Sequence, residues 1–264
     1  MTLPKQTLGE RGFLMPVGIV GSDTRLNKGF AFRPWRMKEE RALGALRDQN
    51  RMNVAQFVSI VLGTMLTRLG PHDFESMTLE QRRVHVGQMF LPDVYYTYMR
   101  LRLEALGPEL KVQMPCPRCG KDFSMGADLS TTEVSYLDDL TDFSVDYTLK
   151  RPFVVRGQEV CRILFGLPRW NALESVQGGS MNTGEAKSAL ILGSIKAIEG
   201  MDALLAPHEL DDLSKLDLET ILRLLDDGQP GPVMSLEAVC PHCQSKFDQS
   251  LDWGYDSFFG VSNP

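Results

Sequence analysis

The sequence predicts an α+β fold: an N-terminal helical module, followed by a small cysteine ribbon that a mixed β/α insertion splits in two. Apolar stripes of helical period, with capping signals, fill residues 33–107. Two C-P-x-C knuckles follow, and the alternating residues beside each one place it on a β-hairpin. The predicted parts are an extended arm (1–32), the helical module (33–107), the two halves of the split ribbon (108–130 and 233–264) and a β-rich insertion with two helices (131–232).

The first 32 residues predict an extended arm without regular secondary structure. Five glycines and two prolines interrupt this segment, and neither a helical nor a strand period survives in it. Such an arm is expected to pack on the rest of the chain or to be ordered by a partner.

Four helices are predicted in the helical module, and three of them have a recognisable start signal. Asn53 is a capping residue, Thr78 begins a capping box, and Pro92 stands where proline favours a first turn. Glycine marks the predicted ends of two helices. The predicted starts are Met37, Asn53, Thr78 and Pro92, and the predicted ends of the second and fourth helices are Gly70 and Gly107.

In the insertion, strands are predicted in the first part of the segment and helices in the later part. Alternating residues on both sides of Arg156-Gly157-Gln158 indicate a β-hairpin. Apolar residues at helical spacing predict helices at about 184–199 and 218–225. A Gly- and Pro-rich linker at 226–232 then leads into a strand at 236–239, which enters the second knuckle.

The two knuckles predict a metal site. Cys116 and Cys119 form one C-x-x-C pair, Cys240 and Cys243 form the other, and a Phe stands seven residues after the first Cys of each pair. Four thiolates in two such pairs are typical of a structural Zn²⁺ site. The 120 residues between the pairs far exceed the roughly 15–20 of a simple ribbon. Loop closure grows costlier only slowly with length, so a long insertion is tolerable.

Other uses of these cysteines remain open from the sequence. Cys-Pro-His-Cys also occurs at the active sites of disulfide oxidoreductases, where the first Cys begins a helix. Here the residues after both knuckles alternate, which favours a strand. Disulfides and two separate half-sites, each completed by a partner chain, are further alternatives. Cys161 is expected to be a small buried residue in a strand, and His242 to face solvent in its turn.

Size, charge and hydrophobic pattern favour a globular protein over a membrane-spanning or nucleic-acid-binding one. The chain has 264 residues, of which 43% are hydrophobic, enough for a substantial core. Residues 1–120 carry 17 Lys and Arg against 11 Asp and Glu, whereas residues 121–264 carry 11 against 23. We expect a cytosolic protein with no membrane span, because the N-terminus lacks an apolar run and the apolar stretch 52–67 is short and polar-punctuated. A pI near 5.3 does not favour a nucleic-acid partner.

Catalytic motifs give no support for an enzyme. The sequence contains no phosphate-binding loop, no G-x-S-x-G elbow and no H-E-x-x-H pair. A metal ion held by all four cysteines would also have no open coordination position. We therefore expect a non-enzymatic protein.

The order of these parts resembles a known family. The segments that carry the resemblance are Phe32-Arg33-Pro34-Trp35-Arg36-Met37-Lys38-Glu39-Glu40, Arg100-Leu101-Arg102 and the two knuckles. The chain resembles the baseplate hub proteins, or hub assembly chaperones, of T-even-type phages and related contractile injection systems. Gln244 departs from the pattern, because Gly120 stands at the corresponding position of the first knuckle.

The resemblance implies a structural or assembly role in building the hub at the tip of a contractile tail. It implies hub or tail proteins as partners and assembly in the host or bacterial cytoplasm, and it leaves open whether the protein stays in the particle and in what oligomeric state. A nucleic-acid-binding zinc-ribbon adaptor and a thiol oxidoreductase are the alternatives. The expected partner-binding residues are Arg100, Arg102, Trp253, Tyr255, Phe258 and Phe259.

Overall fold

The computed structural model describes residues 3–10, 13–21, 25–49, 52–139, 143–176, 184–201 and 205–251. In these ranges the chain is a mixed α and β structure, in which helices pack against several small antiparallel sheets. None of the helices in the same ranges is both long and apolar enough to cross a membrane.

The helices are α1 (Met37–Gln49), α2 (Val54–Met65), α3 (Leu79–Gly87), α4 (Leu91–Leu106), α5 (Asn171–Glu174), α6 (Gly184–Ser194) and α7 (Lys215–Asp226). The strands are β1 (Lys5–Thr7), β2 (Leu14–Val20), β3 (Leu26–Phe32), β4 (Leu66–Leu69), β5 (His72–Asp73), β6 (Glu109–Pro115), β7 (Asp122–Asp128), β8 (Glu133–Ser135), β9 (Val145–Val155), β10 (Gln158–Phe165), β11 (Ile195–Ile198), β12 (Gly231–Pro232), β13 (Ser235–Val239) and β14 (Lys246–Ser250).

The strands form five sheets within the described residues. One has the order β2-β3-β4-β5, and another has the order β11-β10-β9. A third, β1-β8-β12, joins three segments that are far apart in the chain. The hairpins β6–β7 and β13–β14 are separate two-stranded sheets, and each carries one cysteine knuckle at its turn.

Buried apolar side chains form two clusters. The first lies around α2 and α4, and the second lies between β9, β10 and α7. Trp170 belongs to the first cluster although it follows β10 in the chain, and its side chain is fully buried. Its indole Nε1 donates to Ser59 Oγ at 2.8 Å and to the carbonyl of Ala55 at 3.2 Å. This contact holds the segment after β10 against α2.

Two helices end earlier than the sequence predicts. The second predicted helix was expected to run to Gly70, but α2 ends at Met65 and the chain continues as β4, which pairs with β3. The helix expected to reach residue 199 ends at Ser194 and continues as β11, which pairs with β10. In both places pairing with a distant strand outweighs the helical spacing of the apolar residues.

The N-terminal segment also differs from the sequence expectation. It contains β1, β2 and β3, whereas no regular secondary structure was predicted there. Their hydrogen-bonding partners include β4 and β8, which lie far along the chain. Gly18 has a positive φ of 105° within a stretch where the pairing of β2 with β3 shifts register. Such a bulge breaks the alternation by which a strand is recognised in a sequence.

Two buried aspartates attach helices to neighbouring strands. Asp93, the third residue of α4, accepts hydrogen bonds from the amides of Val17 and Gly18 in β2 at 2.7 and 2.9 Å. Asp217, the third residue of α7, is bound in the same way to two successive amides of β9, at 2.9 and 3.2 Å. Both side chains are fully buried, so these bonds satisfy groups that would otherwise be costly to bury.

Asn53 connects the start of α2 to α5 and the segment after it, and its loss should be costly. Its Oδ1 accepts from the amide of Gln56 at 2.7 Å, while its Nδ2 donates to the carbonyls of Leu173 and Val176 at 3.1 and 2.6 Å. We predict that Asn53→Ala lowers the free energy of unfolding by about 2–4 kcal/mol, because a helix cap and buried carbonyl partners are lost together. Urea unfolding followed by circular dichroism measures the change.

Thr78→Ala is the matched control for this prediction. Thr78 caps α3 through a similar capping box, but it is exposed and its side chain bonds only within the helix start. That substitution should cost about 1 kcal/mol. Equal losses in the two variants would contradict a role for Asn53 beyond capping.

A close pair of histidine rings predicts sensitivity to acid. The rings of His85 in α3 and His72 lie 4.1 Å apart. Burial, and then the charge of His72, hold the pKa of His85 below its ordinary value. The imidazole of His85 is therefore protonated less readily in the folded state than in the unfolded chain. The free energy of unfolding falls as the pH drops through the ordinary histidine range, from about 7 to about 5, because the unfolded chain takes up the proton first.

We predict that His85→Gln reduces this acid-dependent loss of unfolding free energy. Chemical denaturation at about pH 7 and about pH 5 measures the loss. His208→Gln replaces an exposed histidine and serves as the control. If the unfolding free energy of His85→Gln still falls by the same amount between the two pH values, the histidine pair is not the source of the loss.

Candidate metal centre

The first knuckle is the turn of the β6–β7 hairpin. The two strands pair from Glu109 opposite Asp128 to Pro115 opposite Asp122. At the turn, the amide of Cys116 donates to the carbonyl of Lys121 at 3.0 Å, and the amide of Gly120 donates back to the carbonyl of Cys116 at 2.9 Å. These bonds fold the four-residue knuckle so that both of its sulfurs point to one side of the turn.

The second knuckle repeats this geometry at the turn of β13–β14. The amide of Cys240 donates to the carbonyl of Ser245 at 3.0 Å, and the amide of Gln244 donates to the carbonyl of Cys240 at 2.9 Å. Gln244 has a φ of 58°, close to the 71° of Gly120 in the first knuckle. The departure from glycine at residue 244 therefore leaves the backbone conformation unchanged, although a left-handed φ is less favourable for glutamine.

The two knuckles bring their four sulfurs together. Cys116 Sγ lies 3.7 Å from Cys243 Sγ, and Cys119 Sγ lies 3.8 Å from Cys240 Sγ. All four sulfurs lie within 4.8 Å of one another. A tetrahedron with metal–sulfur bonds of about 2.3 Å has edges of about 3.8 Å. The four sulfurs therefore have the spacing that a tetrahedral metal ion requires.

These distances also bear on two of the alternatives left open by the sequence, the disulfides and the separate half-sites. A disulfide would place two sulfurs about 2.05 Å apart, and all four cysteines are free thiols. The sulfurs of both pairs belong to one cluster. The arrangement is that of one four-sulfur site within a single chain, not of two separated half-sites.

Apolar side chains flank the two knuckles. Met114 and Ala238, each two residues before the first cysteine of its pair, are buried, and the rings of Phe123 and Phe247 meet edge to face with centroids 6.2 Å apart. The sequence pattern singles out the two Phe residues but not Met114 and Ala238. Their signal is alternation, because every second residue of β6 and β13 faces the same side of its hairpin.

The electrostatics of the cluster favour a bound cation. The amide of Cys119, followed by that of Arg118, lowers the pKa of the Cys116 thiol to about 6. The amide of Ser245 acts in the same direction on Cys243, but burial and the three neighbouring thiols outweigh it and raise the pKa of Cys243 to about 11. Several thiolates crowded together repel one another, and a divalent cation among them removes that repulsion.

Arg100 and Arg102, which the sequence analysis expects to bind a partner, donate hydrogen bonds within the chain, and their partner contacts stay a prediction. Both side chains are buried in α4. The guanidinium of Arg100 donates to the carbonyl of Leu8 at 2.9 Å and pairs with Glu104 at 3.1 Å. Arg102 donates to the carbonyls of two residues after α4, at 2.6 and 2.5 Å. These arginines therefore bind the chain's own backbone.

The remaining predicted residues fall into three groups. Cys161 lies in β10 outside the sulfur cluster and is half-buried, less enclosed than expected. His242 is exposed in its turn, as predicted. The aromatic residues of the C-terminal segment lie outside the described part of the chain, and their expected partner contacts stay a prediction: Trp253, Tyr255, Phe258 and Phe259.

Nearly the whole chain, not the metal centre alone, is similar to one protein family. The model of a family described as T4 bacteriophage base plate protein matches residues 22–260, which include both knuckles and nearly all of the described elements. No curated protein and no solved structure matches the chain significantly. The resemblance to phage baseplate proteins is thus confirmed at the level of the family. The chain belongs to the family of T4 bacteriophage base plate proteins.

Proposed function

We propose that this protein is a non-enzymatic structural or assembly protein of a phage baseplate hub, and that Cys116, Cys119, Cys240 and Cys243 bind one structural Zn²⁺. Membership of the base plate family supports the role in the tail. The observation that carries the proposal of a metal-stabilised protein is the cluster of four sulfurs within 4.8 Å of one another.

Zinc is the ion that this donor set fits best. Four cysteine sulfurs at tetrahedral spacing, supplied by knuckles on two hairpins, match the ligand type and geometry of structural zinc sites. With all four positions filled by protein, such an ion stabilises structure and leaves no site for a substrate or an activated water. Zinc in sites of this kind contributes on the order of 10–16 kcal/mol of apparent binding free energy to the folded state.

The two hairpins need such support. Each is a separate two-stranded sheet, and isolated hairpins are marginally stable in water. Exposed and half-buried residues alternate along β7 and β14, so these strands bury little apolar surface. An ion that joins the hairpins turns two weak elements into one rigid ribbon with exposed sides. We assign to this ribbon a share of the surface that docks on other proteins.

Other baseplate or tail proteins are the partners that the family supports. The uneven charge of the chain suits such docking, since the acidic residues 121–264 and the more basic residues 1–120 can meet complementary faces of different neighbours. Nucleic acid is less well supported. Arg100 and Arg102 are engaged inside the chain, and so do not contribute to a phosphate-binding surface.

The zinc content of the purified protein tests the proposal that the four cysteines bind one structural Zn²⁺. Inductively coupled plasma mass spectrometry should find about one zinc per chain. We predict that Cys240→Ser lowers the melting temperature by about 10 °C or more, because several kcal/mol are lost and each kcal/mol shifts the midpoint by roughly 2–4 °C in a chain of this size.

Cys161→Ser is the matched control, since this cysteine lies outside the sulfur cluster. It should keep the zinc and shift the melting temperature by no more than about 4 °C, the equivalent of about 1 kcal/mol. A stably folded protein without metal, or equal shifts in the two variants, would contradict the zinc assignment.

Reconstitution with the other baseplate and tail proteins of the same phage tests the proposed structural or assembly role in the baseplate. The zinc-loaded chain should co-elute with at least one of them in size-exclusion chromatography, and Cys240→Ser should weaken that complex. Failure to associate with any of them, together with a DNA mobility shift that weakens steeply with salt, would instead favour the nucleic-acid adaptor. Mass spectrometry of purified particles distinguishes a protein that remains in the baseplate from one that leaves after assembly.

A further inference from the structure

The similarity of the two knuckles extends well beyond their cysteines. Residues 107–123 and 231–247 align without a gap, and the residue numbers of each pair differ by 124. Both stretches begin with a Gly-Pro step whose glycine has a positive φ, 83° at Gly107 and 118° at Gly231. The identical residues are Gly107, Pro108, Cys116, Pro117, Cys119 and Phe123 in the first stretch and Gly231, Pro232, Cys240, Pro241, Cys243 and Phe247 in the second.

The same separation reaches back into the preceding helices. Asp93 and Asp217 also differ by 124, and each is the buried third residue of its helix, bound to two successive amides of a neighbouring strand. Leu101 and Leu225, at the same separation, are both buried. Helix α4 followed by β6–β7 thus corresponds to helix α7 followed by β13–β14.

The sheets before these helices correspond as well. In each, a strand that directly follows a helix pairs antiparallel with the second strand of a hairpin, and the register shifts at the same step. The first set of pairs is Phe30–Leu69, Ala31–Arg68 and Phe32–Leu66, and the second set is Ile163–Ile198, Leu164–Ala197 and Phe165–Ile195.

Backbone hydrogen bonds around the two shifts also match. The amide of Arg33 donates to the last residue of α2, Met65, at 2.9 Å, and the amide of Gly166 donates to the last residue of α6, Ser194, at 2.7 Å. A zinc knuckle is a short pattern that two unrelated hairpins can share. A shared irregularity of register, together with a buried aspartate in the same place, is a much stronger sign of common construction.

We propose that the chain consists of two copies of one folding unit, spanning residues 13–128 and 145–250, and that the knuckle end of each copy's last hairpin is a surface on which the other copy docks, in addition to the contacts that Trp170 and Asn53 make between the copies. Each unit runs through a β-hairpin, helices, a strand paired to that hairpin, an aspartate-bearing helix and a knuckle hairpin. Helix α3 and strand β5 are additions in the first unit. The occupant of each docking surface is therefore the equivalent surface of the sister unit.

The side chains at the junction fit this assignment. Each unit supplies two of the four sulfurs, and in each unit the first cysteine is the buried one, with exposures of 1% at Cys116 and 0% at Cys240. Phe123 and Phe247, which occupy equivalent positions, contact each other across the junction. Contact between equivalent residues is the mark of a twofold interface. The participation of zinc rests on the proposed function, whereas the two-unit construction does not.

Hydrogen–deuterium exchange of the full-length, zinc-loaded protein tests the proposal. Asp217→Asn places an amide group against backbone amides that need acceptors, which should raise exchange in β9, β10 and β11 by about ten- to hundredfold. Protection of β2, β3 and β4 should stay the same. Asp93→Asn should give the reverse pattern, and Glu219→Gln, which alters an exposed carboxylate of α7, should change neither sheet.

Cys119→Ser tests the docking surface in the same assay. It should raise exchange in both knuckle hairpins together, and by much more than in the two larger sheets. Loss of protection in all sheets from either aspartate variant, or unfolding of the whole chain, would show a single cooperative body and overturn the two-unit proposal. Changes confined to β6–β7 in Cys119→Ser would overturn the docking surface. If the two aspartate variants give the predicted separate patterns but the protein binds no zinc, the zinc assignment alone is refuted and the two-unit proposal stands.

Discussion

The convergence of four sulfurs from two hairpins is the constraint on which the rest of the structure depends. The cysteine pairs are 120 residues apart in the chain, yet their sulfurs lie within 4.8 Å of one another. The chain between the two cysteine pairs must therefore leave the first hairpin and return to its side. The sheet β1-β8-β12 lies on the same path, because it ties the N-terminal strand to segments just after the first hairpin and just before the second. These non-local connections are slow to form but, once made, restrict the whole chain.

Away from the sulfurs, the fold is held by contacts that bridge its two apolar clusters. Trp170 follows β10 but lies in the first cluster, where its indole bonds to α2. Asn53 adds hydrogen bonds from the start of α2 to the same segment. Polar groups that bond across an apolar boundary fix the orientation of the parts they join, because any shift would leave a buried donor or acceptor unpaired. The relative position of the clusters is thus set by directional bonds as well as by packing.

The sequence predicts best the features that depend on neighbouring residues. The caps at Asn53 and Thr78, the hairpin at Arg156-Gly157 and the turns of both knuckles follow local rules, and the structure contains all of them. The early ends of α2 and α6 could not be predicted, because their following strands exist through pairing with distant residues. The internal bonds of Arg102 were hidden for a similar reason, since a backbone carbonyl acceptor leaves no trace in side-chain spacing.

The four cysteines differ in how well they are shielded from water. Cys116 and Cys240 are enclosed, whereas Cys119 is exposed and Cys243 is partly so. The cluster therefore has a closed side, formed by the first cysteine of each pair, and an open side, formed by the second. Chelators and oxidants of the proposed metal site would approach from the open side, and the ion would enter or leave by exchanging its outer sulfur ligands first. The inner pair would keep the hairpins in contact during that exchange, so turnover of the ion need not separate them.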